Sequence, residues 1–308
     1  MELVRGLHNL RPAHRGCAAT IGSFDGVHLG HQAVLGQLAV RAAELDLPVT
    51  LVTFEPQPRE YFSPEAAPPR LTRFREKLEA LQNCGVERVL VLSFNDHLAG
   101  LTPEEFIRII LLDGLGVKHL VIGDDFRFGK ARAGDFALLQ QTGTRHGFPV
   151  VSMESYNVAG QRVSSTLVRE ALTRGDLALA ETLLGRPYGM CGRVAHGDKR
   201  GRTIGFPTAN IHLHRTASPV DGVFAVEMTG IDGAPVAGVA NVGNRPTVDG
   251  TRSLLEVHLF DFDRDIYGAH VAVSFLKKLR NEQRFDSFPA LQQQIRLDAA
   301  NAREFFSL

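Results

Sequence analysis

The chain has no tryptophan, and only four tyrosines and four methionines among its 308 residues. Its cysteines are three, Cys17, Cys84 and Cys191, odd in number and far apart in sequence. That spacing argues against a disulfide framework or a cysteine zinc site and predicts reduced thiols in a cytoplasmic protein. Charge of neither sign prevails, since Lys plus Arg and Asp plus Glu both total 34. A chain without net charge is not built around the counterion release that drives general nucleic-acid binding, so no nucleic-acid partner is expected. No apolar run approaches the roughly 20 residues needed to span a bilayer. Residues 1–15 mix Glu2, Arg5, His8 and Arg11 with isolated apolar positions, where a secretory signal would have an apolar middle. No membrane partner is expected, and no obligate protein partner is evident. Internal repeats and low-complexity segments are also missing.

What remains is ordinary globular stock. Apolar residues make up 44% and charged residues 22%, which excludes a disordered tail or a collagen-like repeat. The length fits one or two domains, two being the better fit. From Ala18 to Ser155 short apolar runs alternate with helical stripes. Strands are predicted at Cys17–Ile21, Val49–Phe54, Arg88–Phe94, Val117–Ile122 and Phe148–Met153. Helices are predicted at about His28–Asp46, with Val34, Leu35, Leu38 and Ala42 on one stripe, at Thr72–Cys84, and at Phe136–His146. A further one opens at Thr102-Pro103-Glu104-Glu105, where a capping hydroxyl precedes Pro and two acids. Strands separated by helices imply a parallel, Rossmann-like α/β sheet, with ligands bound beyond the carboxyl ends of the strands.

The second half reads differently. Ser164-Ser165-Thr166 starts a helix, and Asp176 caps another that stops at Gly185 and Pro187. We place the domain boundary there, giving residues 1–185 and 186–308. Beyond it Phe224–Met228, Val236–Val242, Leu254–Phe260 and Ala269–Phe275 read as short strands, with an Asp232-Gly233 hairpin signal between the first two. An amphipathic helix over about Phe288–Phe305 closes the chain. The pattern predicts a small antiparallel barrel with a terminal helix.

Two constellations carry chemistry. In the first, Gly22-Ser23-Phe24-Asp25-Gly26-Val27-His28-Leu29-Gly30-His31 follows the first strand and opens the first helix. Gly22 and Gly26 permit a sharp turn. His28 and His31 are three apart and face one side of the first helical turn, where free amides and the helix dipole favour an anion. Two imidazoles added there suit a triphosphate. A surface pair or a zinc pair would share the spacing, but no third ligand is evident nearby. After the last strand, Ser164, Ser165, Thr166 and Arg169 can hold further phosphate oxygens, or simply cap a helix.

The second constellation is Gly197-Asp198-Lys199-Arg200-Gly201-Arg202-Thr203-Ile204-Gly205-Phe206-Pro207-Thr208-Ala209-Asn210. It is not a Walker loop. Its early part is glycine-rich and basic, suited to lying over phosphates, and from Phe206 it reads as a strand. On that reading Phe206, Thr208, Asn210 and His212 share one face. The Thr and Asn oxygens suit a hard cation such as Mg²⁺, or are simply the polar outer face of a barrel strand, which for Thr and Asn alone is the commoner case. In Leu254–Phe260 alternation puts Glu256 and His258 together, and a carboxylate there could accept a hydroxyl proton, or be a solvated surface group.

These residues carry a resemblance. Gly-x-Phe-Asp-Gly-x-His-x-Gly-His with the later Ser-Ser-Thr-x-x-Arg is similar to the nucleotidylyltransferase superfamily, and within it to the FMN adenylyltransferase module of bacterial FAD synthetases. Gly123-Asp124-Asp125-Phe126-Arg127-Phe128-Gly129 matches a third segment of that module. Ser23 stands where Asn is common and Val163 where Ile is common. Pro207-Thr208-Ala209-Asn210, then Leu255-Glu256-Val257-His258-Leu259, resembles riboflavin kinase, as do Ala240-Asn241-Val242-Gly243 and Phe275–Arg280. Together they span nearly the whole chain in the order of the bacterial bifunctional riboflavin kinase/FMN adenylyltransferases. The resemblance implies ATP as co-substrate of both reactions, riboflavin, FMN and FAD as substrates and products, and Mg²⁺. It assigns adenylyl-transfer ATP contacts to Gly22, Phe24, Asp25, His28, His31, Ser164, Ser165, Thr166 and Arg169, with His28, His31 and Arg169 catalytic, and FMN contacts to Asp125 and Phe126. It assigns kinase ATP contacts to Gly197, Lys199, Gly201, Thr208 and Asn210, metal to Thr208 and Asn210, flavin contacts to Arg280 and Glu256, and the base to Glu256. Which of Phe62, Phe126, Phe128 and Phe285 meet flavin stays open. The alternatives are a nucleotidylyltransferase for another phosphorylated metabolite, a non-catalytic flavin-binding protein, and an RNA-linked role.

Overall fold

The structure is a computed structural model that describes all residues except Asp124, Glu154, Ser155, 197–204, His214, Thr216, Asp232, Val248 and Asp249, with the backbone alone described at 244–247 and 250–253. The chain forms two compact units, one of Met1–Pro68 with Lys77–Val163 and one of Pro69–Glu76 with Ser164–Leu308.

The first unit is built on a six-stranded parallel sheet of β1 (Glu2–Arg5), β2 (Cys17–Ile21), β3 (Val49–Glu55), β4 (Arg88–Ser93), β5 (Val117–Gly123) and β6 (Val150–Met153), in the order β1-β4-β3-β2-β5-β6. The order reverses at β2, the central strand that leads into the histidine turn. Helix α1 (Leu29–Glu44) follows β2 and buries Leu35, Leu38 and Ala42 of the expected stripe, while Val34 stays half-buried at its edge. After β3 come α2 (Pro58–Phe62) and α3 (Phe74–Asn83), and after β4 come α4 (Asp96–Gly100) and α5 (Pro103–Phe106). The Thr102 cap forms with Glu105 as a capping box, but beyond Phe106 the helix widens to π geometry over Ile107–Gly114. Helix α6 (Phe136–His146) ends at Gly147 in the left-handed region. The sequence reading omitted β1 and the short hairpin of β7 (Asn157–Val158) and β8 (Gln161–Arg162). Each is four residues or fewer, and β1 buries only Val4, so no apolar period marks them.

The second unit starts with α7 (Ser165–Arg174) and α8 (Leu177–Leu184), the latter capped by Asp176 and stopped by left-handed Gly185 as expected. A closed antiparallel barrel follows, of β9 (Gly189–Ala195), β10 (Ala209–His212), β11 (Gly222–Thr229), β12 (Val236–Thr247), β13 (Gly250–Leu259) and β14 (His270–Arg280), in the order β10-β13-β12-β11-β14-β9. The fold class is therefore as expected: a parallel α/β domain, then a small barrel and a C-terminal helix, α9 (Phe288–Phe306). The barrel is two-faced. Phe224, Val226, Met228, Leu255, Val257 and Phe275 are buried on one face of their strands. Val223, Ala225 and Val239 alternate to the other face and pack with Ala299 and Ala302 of α9. The Asp232 hairpin signal lies outside the described residues, although Val236–Val242 pairs back on Gly222–Met228 as a hairpin requires.

Two features of this unit differ from a linear reading. The strand expected from Phe206 begins at Ala209. Pro207 has no N–H for a ladder, and the preceding Gly205 is left-handed at φ +83°. Second, Pro69–Glu76 comes from the N-terminal half. Tyr188 donates its hydroxyl to Leu71 O at 3.1 Å, and Glu76 accepts from Arg215 at 2.6 Å and from the Cys191 amide at 3.0 Å. Compactness thus divides the chain elsewhere than at a single cut.

Candidate active sites

In the first unit the turn after β2 is strained. Phe24 and Val27 have φ of +47° and +43°, a region costly for any side chain and most for a β-branched one. What holds Val27 there is its complete burial, and Gln32 Nε2 donates to its carbonyl at 2.9 Å. The strain delivers His28 to the N-cap of α1, where its Nδ1 accepts the His31 amide at 3.3 Å. The neutral His28 ring therefore carries its proton on Nε2. The rings of His28 and His31 stack at 3.7 Å, and Phe24 stacks on His31 at 4.5 Å. His28, Phe24 and Asp25 are buried, and His31 is half-buried with Nδ1 enclosed and lacking a hydrogen-bond partner. Burial first, then His28 and Lys77, holds the His31 imidazole well below the usual histidine range. It is a neutral donor, not a cation. Gly30 allows this packing, because a Cβ there would lie 3.2 Å from the His28 ring and 3.4 Å from Val163 O. Gly22 is similar, its Cβ position being 3.0 Å from Phe24.

At the carboxyl end of β5 Asp125 is exposed and pairs with Arg162 at 2.9 Å. Phe126 is half-buried and stacks on Phe128 at 5.6 Å, whereas Phe128 belongs to the core. An aromatic group sits past β3 and β4: Tyr61, Phe62 and Phe94 pack edge to face at 5.1 to 5.5 Å. Phe62 is 65% exposed, an unusual position for so large an apolar ring.

In the second unit Ser164 is the N-cap of α7, its Oγ accepting the Leu167 amide at 3.2 Å. Ser165 is half-buried and Thr166 exposed in the first turn, and Arg169 donates from Nε to Pro69 O at 2.7 Å. The capping role weighed for these hydroxyls thus belongs to Ser164.

On the barrel, Gly197, Lys199 and Gly201 lie outside the described residues. The others assemble by register. Asn210 of β10 lies opposite Glu256 of β13, which lies opposite Asn241 of β12. Asn241 pairs in turn with Val223, and Val223 with Arg280. Directly opposed residues point to the same side, so polar side chains from four strands form one row. Glu256 is half-buried between buried Leu255 and Val257, as alternation required. Asn210 is 9% exposed, and its Nδ2 donates to Thr208 O at 3.4 Å, which turns Oδ1 away; Oδ1 has no hydrogen-bond partner among the described residues. Thr208 is half-buried just before the strand, not in it. Arg280 grips Asp298 of α9 through Nε at 2.9 Å and Nη2 at 2.7 Å, and Gln294 donates to the same carboxylate at 2.9 Å. Its guanidinium lies 5.7 Å from the Phe285 ring. Asn241 and Asp298 were missed by the sequence assignment. Asn241 sits in a strand segment that resembles the kinase family but was given no role, and Asp298 is one acid on a helix; only register and packing show their neighbours.

No three His, Cys, Asp or Glu side chains converge as a metal site among the described residues. A hydroxyl with an amide oxygen is instead the sparse, hard donor set suited to a cation that keeps most ligands from water and substrate phosphates.

A family model described as FAD synthetase matches residues 10–167, and one described as riboflavin kinase matches 184–306. Among curated proteins, the bifunctional riboflavin kinase/FMN adenylyltransferase of Escherichia coli K12 is 53% identical over 309 residues, covering 100% of this chain and 99% of that protein. The proteins of the same name from Pseudomonas fluorescens and Haemophilus influenzae are 54% and 52% identical, covering 98% and 100% of this chain and 97% and 100% of their own. A crystal structure from Streptococcus pneumoniae, described as a macrolide-efflux protein, superposes with TM-score 0.80 at 30% identity and covers 97% of both chains.

Proposed function

The chain belongs to the bifunctional riboflavin kinase/FMN adenylyltransferase family, and from that premise we propose how its residues divide the two reactions. Riboflavin and ATP give FMN and ADP; FMN and a second ATP give FAD and pyrophosphate. We assign the first to residues 186–308 and the second to 1–185. The observation that carries the kinase assignment is the cross-strand row of Asn210, Glu256 and Asn241.

In the kinase reaction Glu256 accepts the proton of the terminal ribityl hydroxyl as its oxygen attacks the γ-phosphorus. Thr208 Oγ and Asn210 Oδ1 would hold Mg²⁺, which when bound neutralises charge on the ATP phosphates. Gly197, Lys199 and Gly201 would cover those phosphates. Arg280, fixed by Asp298, orients the flavin substrate.

In the transfer reaction the FMN phosphate is already an anion, so no base is required. Neutral His28, donating from Nε2, and His31 stabilise charge as pyrophosphate leaves. Gly22, Phe24 and Asp25 shape the turn that aims them. Ser164, Ser165, Thr166 and Arg169 keep their implied role toward ATP phosphates, with Ser164 acting through its cap. Asp125 and Phe126 meet FMN, and the exposure of Phe62 at the ligand-binding edge of the sheet makes it a platform for the flavin ring, whereas Phe128 fills core. Phe285 packs beside Arg280.

We place the protein in the cytoplasm, with small molecules as partners and no nucleic-acid, membrane or obligate protein partner. The scattered, odd-numbered cysteines and the neutral overall charge support this.

Incubating the protein with riboflavin, ATP and Mg²⁺ and separating the flavins should yield both FMN and FAD; riboflavin left unchanged would overturn the reading. Gly30→Ala should crowd the His28 ring and lower FAD formation from FMN by roughly tenfold or more, because small misplacements of an aligned group are expensive. FMN formation from riboflavin should be unchanged, and equal loss of both would point to unfolding instead.

A further inference from the structure

His258 shares the polar face of β13 with Glu256, yet neither its position nor its neighbours suggest that it touches substrate. What it touches is the segment before β10. Its Nδ1 lies 2.9 Å from Pro207 O, so the ring N–H donates and the carbonyl accepts. That segment needs a tether. Backbone pairing of β10 with β13 starts at Ala209 opposite Val257, so Thr208 falls one residue outside the ladder. Pro207 has no N–H to extend it. The His258 ring is itself held: Phe206 and Phe260 pack edge-on at 5.1 and 5.9 Å. Behind Phe260 the Arg303 guanidinium lies 4.5 Å from its ring and pairs with both oxygens of Asp261.

We propose that His258 is a positioning residue for riboflavin phosphorylation, fixing Thr208 through the Pro207 carbonyl so that Thr208 Oγ and Asn210 Oδ1 present one binding edge to the cation and ATP phosphates. The inference rests on the reading of Thr208 as a ligand on that edge. Burial holds the His258 imidazole below the usual histidine range, against the opposing pull of the Pro207 carbonyl bond, and because a carbonyl can only accept, the ring proton in that bond resides on Nδ1. The ring-to-carbonyl bond substitutes for the ladder bond that proline removes.

The full-length protein tests this. His258→Phe keeps a ring between Phe206 and Phe260 but removes the donor, while His258→Asn returns a donor near the Nδ1 position. For His258→Phe we expect the KM for ATP in riboflavin phosphorylation to rise about three- to tenfold, the scale of one lost hydrogen bond, with kcat and the riboflavin KM little changed. His258→Asn should restore it. Riboflavin fluorescence, followed in the presence of ADP as Mg²⁺ is titrated, should show a matching rise in the half-saturating Mg²⁺ concentration without turnover. If His258→Phe does not fold, His258→Asn is compared with His258→Gln, which moves the donor outward; Asn should be near wild type and Gln impaired. Unchanged ATP and Mg²⁺ dependence in the Phe variant, or no difference between Asn and Gln, would overturn the inference. Thr208→Ala separates the two claims: if it leaves phosphorylation intact, the reading of Thr208 is wrong, and if it abolishes phosphorylation while the His258 variants are silent, only the positioning role is wrong.

Discussion

Glu256→Gln is expected to lower FMN formation from riboflavin by about 10²- to 10⁴-fold, the usual contribution of a positioned general base. The substitution keeps the size of the side chain opposite Asn210 and Asn241 but removes the ability to accept a proton. Position 256 is half-buried between Leu255 and Val257, so the barrel should fold normally. Conversion of supplied FMN to FAD should therefore continue at the wild-type rate. ADP release with riboflavin, measured beside chromatography of the flavins, reads both reactions in one preparation. Full activity on riboflavin would remove Glu256 from the mechanism. Loss of both reactions in a folded protein would mean that the two chemistries are not carried by separate residue sets.

The second large effect is expected from His28→Ala combined with His31→Ala. Removing one preorganised donor from a developing anion costs about 10²- to 10³-fold, so losing both should lower FAD formation by at least about 10³-fold. Riboflavin should accumulate as FMN. The structure adds a complication, because His28 also caps α1 and stacks on His31. A lost cap costs about 1 kcal/mol, small against the 5–15 kcal/mol of a typical domain. The variant should thus remain folded, and its undiminished riboflavin phosphorylation and melting profile would check that. Appreciable FAD from this variant would leave the histidine turn a structural feature alone.

The elements that carry these predictions differ in how visible they were. The strand Cys17–Ile21, the helix Phe136–His146, the helix start at Ser164-Ser165-Thr166 and the caps at Thr102 and Asp176 are legible in the sequence, because periodicity and capping are written into neighbouring residues. The histidine pair was equally legible from its place after a strand. Its ring stacking and the depressed pKa of His31 were not, since these depend on tertiary burial and on the strained turn. The alternation that begins at Phe206 does not become strand until Ala209, because Pro207 has no N–H for a ladder.

From sequence alone followed the two-part architecture, the antiparallel barrel and the side of β13 on which Glu256 lies. Tertiary structure decided that Asn241 faces Glu256, that His258 reaches Pro207, and that Pro69–Glu76 joins the second unit. The physical reason is range. A strand's two faces and a helix's cap are settled by residues a few positions apart, whereas register, buried ion pairs and ring stacks are settled by which distant segments exclude water from one another.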